Sequence, residues 1–460
     1  MKANGTLRFS ERSRDELIED ILRKEDVIAR QERRIRDLEK KLGAREQADE
    51  RRKLLRLMRS SQKVVNPKKP GREKGHPGVT RKKPVTIDRV VELELTHCPD
   101  CHHQVGESQG VVEHIQEDIV PAHVEATCFR KHRYWCPCCS KIVTAPPAPD
   151  EIPNSYIGPN ALVQTILLKY HHALPFNKIA ELFGSLAGLT ITEGALTQSL
   201  QRMSEWLKVE TDVILSAIRA SPLLHMDETG WKINGDRHWL WATVNKLLAY
   251  YRIARSRGAK IPREILPDKY GGILVADFYS AYNRLKFKIQ RCLVHLEREM
   301  RKCLLQDTSG EYARYHKILK RIIRDARKLK EDRKKFVPAV YIGKASMIRK
   351  RLLRWACREH ENKHLKRLAQ RIMKHATELL VFLESPEIPS DNNLAERMIR
   401  PNVIIRNRSF QNRSDAGAKA HEVMMSLLQT LRLQEKDSIA FFRKAILRHS
   451  QGHQAPVLSL

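Results

Sequence analysis

The sequence predicts a mixed α/β protein: stretches of short strands alternate with long helical blocks, with a coiled coil and a small cysteine-bearing β module ahead of them. Three observations carry this expectation. Strand-like alternation is confined to 85–148 and 221–295, while 160–220 and 296–385 follow helical spacing. Two Cys-x-x-Cys pairs fall inside the first alternating stretch. Apolar residues spaced by sevens run through 13–58.

Taken in order, 1–58 is the coiled-coil segment. Ile21, Ile28, Ile35 and Leu42 occupy one seam, and Leu17, Lys24, Gln31 and Leu38 the other. One seam apolar throughout and one apolar only at its ends suits a short, imperfect coiled coil; the alternative is a solvated helix packed on its own domain. Residues 59–84 hold Lys, Arg, Pro and Gly, and within 61–84 eight Lys and Arg face one acid, Glu73. Such a segment buries too little to fold alone, so it is a linker or a basic arm that orders on a polyanion. Residues 85–148 alternate in VTIDRVVELEL and VVEHIQEDIV, as short strands do, and form the small β-rich module. The Pro-rich APPAPDEIPNSYIGP marks a boundary. Residues 149–220 are helical, with a helix–turn–helix rhythm in LPFNKIAELFGSLAGLTITEGALTQSLQRM. Most such corners are packing alone, and contact with DNA is the sharper alternative.

From 221 the period changes to that of strands. LLHMD is a short apolar strand ending in an acid, WLWATV and LAYYRI alternate as a hairpin, and GGILVADF is a buried strand ending in a second acid. Residues 296–385 return to helix, with 25 Lys and Arg against 11 acids. The remainder, 386–460, starts with SDNNLAERMIRP and continues as amphipathic helix.

Charge narrows the partner. Lys and Arg number 85 against 54 Asp and Glu, a formal net charge of +31. An excess of that size repels itself, and its usual counterpart is a polyanion, nucleic acid before membrane surface. No apolar run approaches the roughly 20 residues of a spanning helix, and MKANGTLRFSERSRDEL lacks the apolar stretch of a signal peptide. A soluble intracellular protein without a membrane partner is expected.

Six of the nine cysteines lie between Cys98 and Cys139. In an intracellular protein such clustering favours metal ligation over disulfides. Cys98-Pro-Asp-Cys101 and Cys136-Pro-Cys-Cys139 form two knuckles whose four thiolates satisfy a closed, tetrahedral, structural Zn²⁺. Cys138 is a spare thiol, and His97, His102, His103 and His132 are alternative ligands. Cys292-x-x-His295 is a second, smaller pair, better suited to shaping a site than to holding zinc.

Carboxylates recur where elements end. Asp227 closes LLHMD, Asp277 closes ILVAD, and Glu396 lies in the first turn of a helix that Asp391 or Asn392 would cap. Sites that cut phosphodiesters with Mg²⁺ need several carboxylates converging from rigid elements. Taken singly, each acid is as well explained as a cap or an ion-pair partner.

The ordered motifs GREKGHPG, CPDC, YWCPCC, LKYHHALPFNKIAELF, LLHMDETGW, VADFYSAY, RCLVHLERE and SDNNLAERMIRP resemble those of the insertion-sequence IS66 family of bacterial transposases, from about residue 15 nearly to the end. The resemblance implies a catalytic core of ribonuclease-H-like fold, made of 221–295 and 386–415, with 296–385 as an α-helical insertion and 416–460 as a C-terminal helical region. It implies a DDE triad at Asp227, Asp277 and Glu396 holding Mg²⁺ or Mn²⁺. It further implies double-stranded DNA (transposon ends and target) as substrate, a homodimer or higher oligomer on that DNA, small accessory proteins of the same element, and a cytoplasmic, nucleoid-associated location. A nuclease or recombinase without strand transfer and a domesticated, non-catalytic DNA-binding protein are the rival expectations. The sequence departs from the family pattern at His102 and Ser140, where glycine often follows the second cysteine, and in the Leu-Glu-Arg-Glu that follows His295.

Overall fold

The computed structural model describes residues 86–94, 96–97, 99–104, 106–107, 111, 114–117, 122–306, 311–409 and 411–459. The chain divides into two compact units, Met1–Glu117 and Asp118–Leu460. The heptads of 13–58, the basic segment 59–84 and Cys98 lie outside the described residues.

In the first unit, 86–94 is exposed and carries no strand, with Val90 73% and Leu93 90% accessible. The alternation of VTIDRVVELEL therefore does not produce the strand it suggests. A two-sided pattern becomes a strand only when one face is buried and a neighbour accepts its amides. The described part of VVEHIQEDIV is likewise without strand. An antiparallel bridge between His97 and Gln104 closes the turn that carries Cys101.

The second unit begins with a hairpin, β1 (Arg133–Cys136) and β2 (Lys141–Thr144), paired from Arg133 opposite Thr144 to Cys136 opposite Lys141. Helices α1 (Pro159–Ile166), α2 (Phe176–Ala187), α3 (Glu193–Trp206) and α4 (Lys208–Ala220) follow. Gly188 ends α2 in the left-handed region at φ 72, and the Thr192 hydroxyl accepts from the Ala195 amide to start α3.

The sheet comprises β3 (Leu223–Ile233), β4 (Asp236–Val244), β5 (Ala249–Ala254), β6 (Ile273–Ala276) and β7 (Lys288–Arg291), with the short helix α5 (Lys260–Ile265) between β5 and β6. Spatial order is β5-β4-β3-β6-β7: β3, β4 and β5 are antiparallel, and β6 and β7 run parallel to β3. Asn234 and Gly235, at φ 49 and 85, make the tight turn from β3 to β4, because two consecutive left-handed residues match the twist of the flanking strands. That hairpin carries β3 well past Asp227, so the first acid stands in mid-strand, opposite Ala242, and not at a strand end.

Beyond the sheet come α6 (Leu293–Gln306), α7 (Glu311–Glu331), α8 (Pro338–Ala356) and α9 (Lys363–Lys374), then α10 (Asn393–Ser409), α11 (Asp415–Leu433) and α12 (Ser438–Ser450). Two large apolar cores result. One joins the sheet to α1, α3, α4 and α10–α12. The other fills α6–α9 and the 379–388 segment, and Leu223, Ile273 and Phe278 of the sheet region pack against it. Among the described residues no helix is long and apolar enough to cross a membrane.

Candidate active site

Strand β6 accompanies β3 only through Leu223, Leu224 and His225. Past that point the β3 backbone needs another partner, and Asn392 supplies it: its Nδ2 donates to the Met226 carbonyl at 2.9 Å. With Nδ2 committed, Asn392 Oδ1 must accept, so His225 Nδ1 carries the proton in the 3.1 Å contact between them. Burial lowers the His225 pKa to about 4, which keeps the ring neutral. The Asn392 amide donates to Cys292 Sγ at 3.2 Å, and the Cys292 amide donates to the Ala276 carbonyl at 2.9 Å. One fully buried asparagine thus ties the strand of Asp227 to the helix of Glu396 and, through Cys292, to the end of β6 before Asp277. Asp391 takes the capping role, its Oδ1 accepting from the Asn393 amide at 3.1 Å.

Asp227 senses the charges of the other acids. Burial, and then the charges of Glu228, Asp277 and Glu396, push the Asp227 carboxyl up to about 8, although its Oδ1 accepts the Glu228 amide at 3.0 Å. Asp277 Oδ1 accepts the Tyr279 amide at 2.8 Å, and its carbonyl accepts from Arg291 Nη1 at 2.7 Å. Glu396 Oε2 lies 3.4 Å from Arg298 Nη2. Its Oε1 is buried without a hydrogen-bond partner, 3.7 Å from the equally unpartnered His295 Nδ1. Burial holds His295 below the usual imidazole range.

Among the described residues no group of three or more His, Cys, Asp or Glu is gathered closely enough to hold a metal ion. The carboxylates share an electrostatic field without sharing a coordination sphere. Their chemistry still fits a hard divalent cation: oxygen donors, an orphaned buried carboxylate oxygen on Glu396, and a carboxyl on Asp227 whose ionisation lacks a compensating positive charge. Burial raises the Cys292 thiol, whose Sγ accepts the Asn392 amide, while the His295 ring lies against Arg298 and Glu396.

Three residues that the motifs did not single out complete the site. Glu228 is buried with Oε1 held by Arg257 Nε (3.0 Å) and Nη2 (2.8 Å), and Oε2 by the Tyr282 hydroxyl (2.7 Å). Arg257 in turn lies over the rings of Tyr279 (3.9 Å) and Trp239 (4.3 Å). The fully buried Arg291 reaches Glu378 (2.6 Å), Asn283 (2.7 Å) and the Asp277 carbonyl, fixing the turn that carries Asp277. The sequence signal was slight: an acid beside Asp227, and an arginine just before the Cys-x-x-His element.

Of the expected zinc ligands, Cys101 belongs to the first unit, and Cys136 and Cys139 to the second. The Cys139 amide donates to Cys136 Sγ at 3.4 Å, and this bond is the largest influence lowering the Cys136 pKa. His102 and Ser140 both have positive φ, 59 and 46, so each knuckle keeps the left-handed turn without its glycine. Cys138, His97, His102, His103 and His132 are exposed.

Residues 154–420 match the model of the transposase IS66 family. Similar proteins include three uncharacterized proteins of Sinorhizobium fredii (strain NBRC 101917 / NGR234). The protein y4jD is 25% identical over 401 residues, covering 79% of this chain and 77% of its own length. Next, y4qI is 23% identical over 404 residues, covering 80% and 73%. The third, y4hP, is 23% identical over 421 residues, covering 80% and 75%.

Proposed function

The chain belongs to the transposase IS66 family, and from that premise we propose that it is a DDE transposase that cuts the ends of an insertion sequence and joins them to target DNA. The observation that carries the reading is the Asn392 junction, which ties the strand of Asp227 to the helix of Glu396 and, through Cys292, to the end of the strand before Asp277. The strand order, three antiparallel strands followed by two parallel ones, supports a ribonuclease-H-like core. The helical segment between Asp277 and Glu396 supports its reading as an insertion.

In this mechanism Asp227, Asp277 and Glu396 would hold Mg²⁺ or Mn²⁺, which would supply Lewis-acid charge stabilisation for in-line displacement at phosphorus. The protein's own part is positioning and charge. Burial and the neighbouring acids favour the protonated form of Asp227, and a bound cation would favour its carboxylate. Arg291 fixes the Asp277 turn, and Arg298 and His295 flank Glu396. Glu228 stays outside the ion set, because both of its oxygens are engaged. Structural zinc at Cys98, Cys101, Cys136 and Cys139, a dimer through 13–58, and accessory proteins of the same element belong to the same proposal.

The test is incubation of purified protein with Mg²⁺, labelled element ends and a supercoiled target plasmid. Transposase activity yields end cleavage and joined product, both lost in Glu396→Gln with DNA binding retained. Cleavage without joining would make the protein a nuclease. Binding with neither would make it a non-catalytic DNA-binding protein.

A further inference from the structure

The outer face of α7 presents Arg314, Lys317, Arg321, Arg324 and Lys328, all exposed. Their spacing of three, four, three and four keeps them on one stripe: over 14 residues an α-helix returns to within about 40° of its starting direction and rises about 21 Å. The opposite face is anchored, with Leu319, Ile322, Ile323, Ala326 and Leu329 buried in the helical core. The stripe is therefore fixed in orientation and is a row of like charges on a rigid rod.

Nearby acids do not neutralise it. Glu297 pairs with Arg327 at 2.8 Å, Glu299 with Arg367 at 3.0 Å, and Asp325 with Arg351 at 2.9 Å. Arg324 only skirts Asp325 at 3.9 Å. Among the described residues no ion pair engages Arg314, Lys317, Arg321 or Lys328. Solvated helix faces ordinarily alternate charge sign, since like charges three or four apart destabilise the helix. A row that repels itself, and that among the described residues is offset only loosely, Arg324 by Asp325 and Lys328 by Asp332, is arranged for an external counterion.

We propose that this stripe is a phosphate track: α7 lies along the backbone of duplex DNA and binds it without reading sequence. The inference rests on the reading that the chain acts on DNA, and it assigns one helix face to the contact. A duplex presents one charge per about 1.7 Å of axis, so a rod of this length faces a dense, regular line of phosphates. An anionic membrane is the poorer match, because a surface-lying helix must insert its apolar face, and that of α7 is already buried.

The experiment uses the full chain and a fluorescent duplex of arbitrary sequence, with affinity followed by anisotropy across a KCl series. The variant R314Q/K317Q/R321Q/R324Q/K328Q keeps good helix formers and touches no buried side chain, and thermal melting followed by circular dichroism checks its fold. A comparison variant replaces Arg349, Lys350, Arg354, Lys363 and Lys366, exposed basic residues of α8 and α9. Neutralising five phosphate contacts should flatten the log affinity–log salt slope by about 4 to 5, and the comparison variant should flatten it by less than half as much. Equal losses in both variants, or an unchanged slope in the stripe variant while wild type binds, would overturn the track and leave the DNA reading intact. Failure of the wild type to bind any duplex would sink the DNA reading itself. Stripe-dependent binding of phosphatidylserine vesicles with no stripe-dependent binding of DNA would make the partner a lipid surface and overturn the track.

Discussion

Asn392 engages three residues in two other segments, His225 and Met226 of β3 through its side chain and Cys292 through its backbone amide, which makes it the residue on which site geometry depends most. Its removal in Asn392→Ala leaves the Met226 carbonyl and the His225 ring buried without partners. Each unsatisfied group costs about 1–3 kcal/mol, so the variant should lose about 2–6 kcal/mol in urea unfolding. Where it folds, Glu396 should drift from Asp227, and end cleavage should fall further than DNA binding. Asn392→Asp is the sharper test. It keeps an acceptor for His225, loses the donor to Met226, and adds a negative charge beside three acids, so it should be as damaging as alanine. None of this was legible in SDNNLAERMIRP, where Asn392 reads as a helix cap, a role that Asp391 fills. A side chain that reaches across 166 residues to a strand leaves no local trace. Glu228 was hidden by proximity to Asp227. A strand sends neighbours to opposite faces, so adjacency in HMDET says nothing of their separate roles.

At the scale of elements, periodicity gave the strands and helices of the core, but not where each strand ends. Alternation records burial, and β3 stays half-buried beyond Asp227 because β4 accompanies it all the way to the turn. The Asn234-Gly235 pair was the available signal, a two-residue hairpin turn that places LLHMDETGWKI in one strand. Gly235→Val, a β-branched residue at φ 85, should destabilise by about 1–3 kcal/mol, whereas Gly235→Asn should be nearly neutral; thermal melting of the pair decides it. The edge strand β5 was legible, yet its protection was not. Glu422, Ser426 and Thr430, one turn apart on α11, accept from the amides of Ile253, Tyr251 and Ala249 at 2.6, 3.0 and 3.0 Å. A helix thereby covers an edge that would otherwise recruit another strand. Ser426→Ala with Thr430→Ala should expose two of those amides, read as faster hydrogen exchange at Ala249 and Tyr251. The cysteine knuckles were legible as spacing, and their left-handed turns at His102 and Ser140 supply the backbone that the missing glycines would have favoured. Purified protein should carry about one zinc per chain, and Cys136→Ser should release it; elemental analysis finding none in the reduced wild type would remove the zinc proposal.

Across the whole molecule, buried ionisable groups of opposite kinds set the dependence of stability on pH. Burial lowers His225 to about 4 and His421 to about 3, and it lowers His171, His295 and His316 less strongly. Below about pH 6.5 the unfolded chain therefore binds more protons than the folded one at these rings, and stability falls as pH falls. The acids act in the other sense. Burial raises Asp227 to about 8, Glu422 to about 7, and Glu228 in the same direction. Between the ordinary carboxylate range and those values the folded state holds the extra protons, so stability present at low pH is lost as pH rises through 7 to 8. Where both sets operate they oppose each other; above about pH 6.5 the histidines have finished titrating, and the acids act alone until Lys169, lowered to about 8 by burial, opposes them near pH 8. Stability should consequently peak near pH 6 to 6.5 and decline toward pH 8, each fully contributing acid adding about 1.4 kcal/mol per pH unit. Asp227→Asn removes one such group, so it should flatten the decline between pH 6.5 and 8 and leave the acid limb unchanged. Glu422→Gln should do the same up to about pH 7, although it weakens the cover of β5. Urea unfolding from pH 5 to 8.5 makes the comparison. If Asp227→Asn parallels wild type across the range, the Asp227 carboxyl is ionised throughout, and the charges of Glu228, Asp277 and Glu396 do not converge on it.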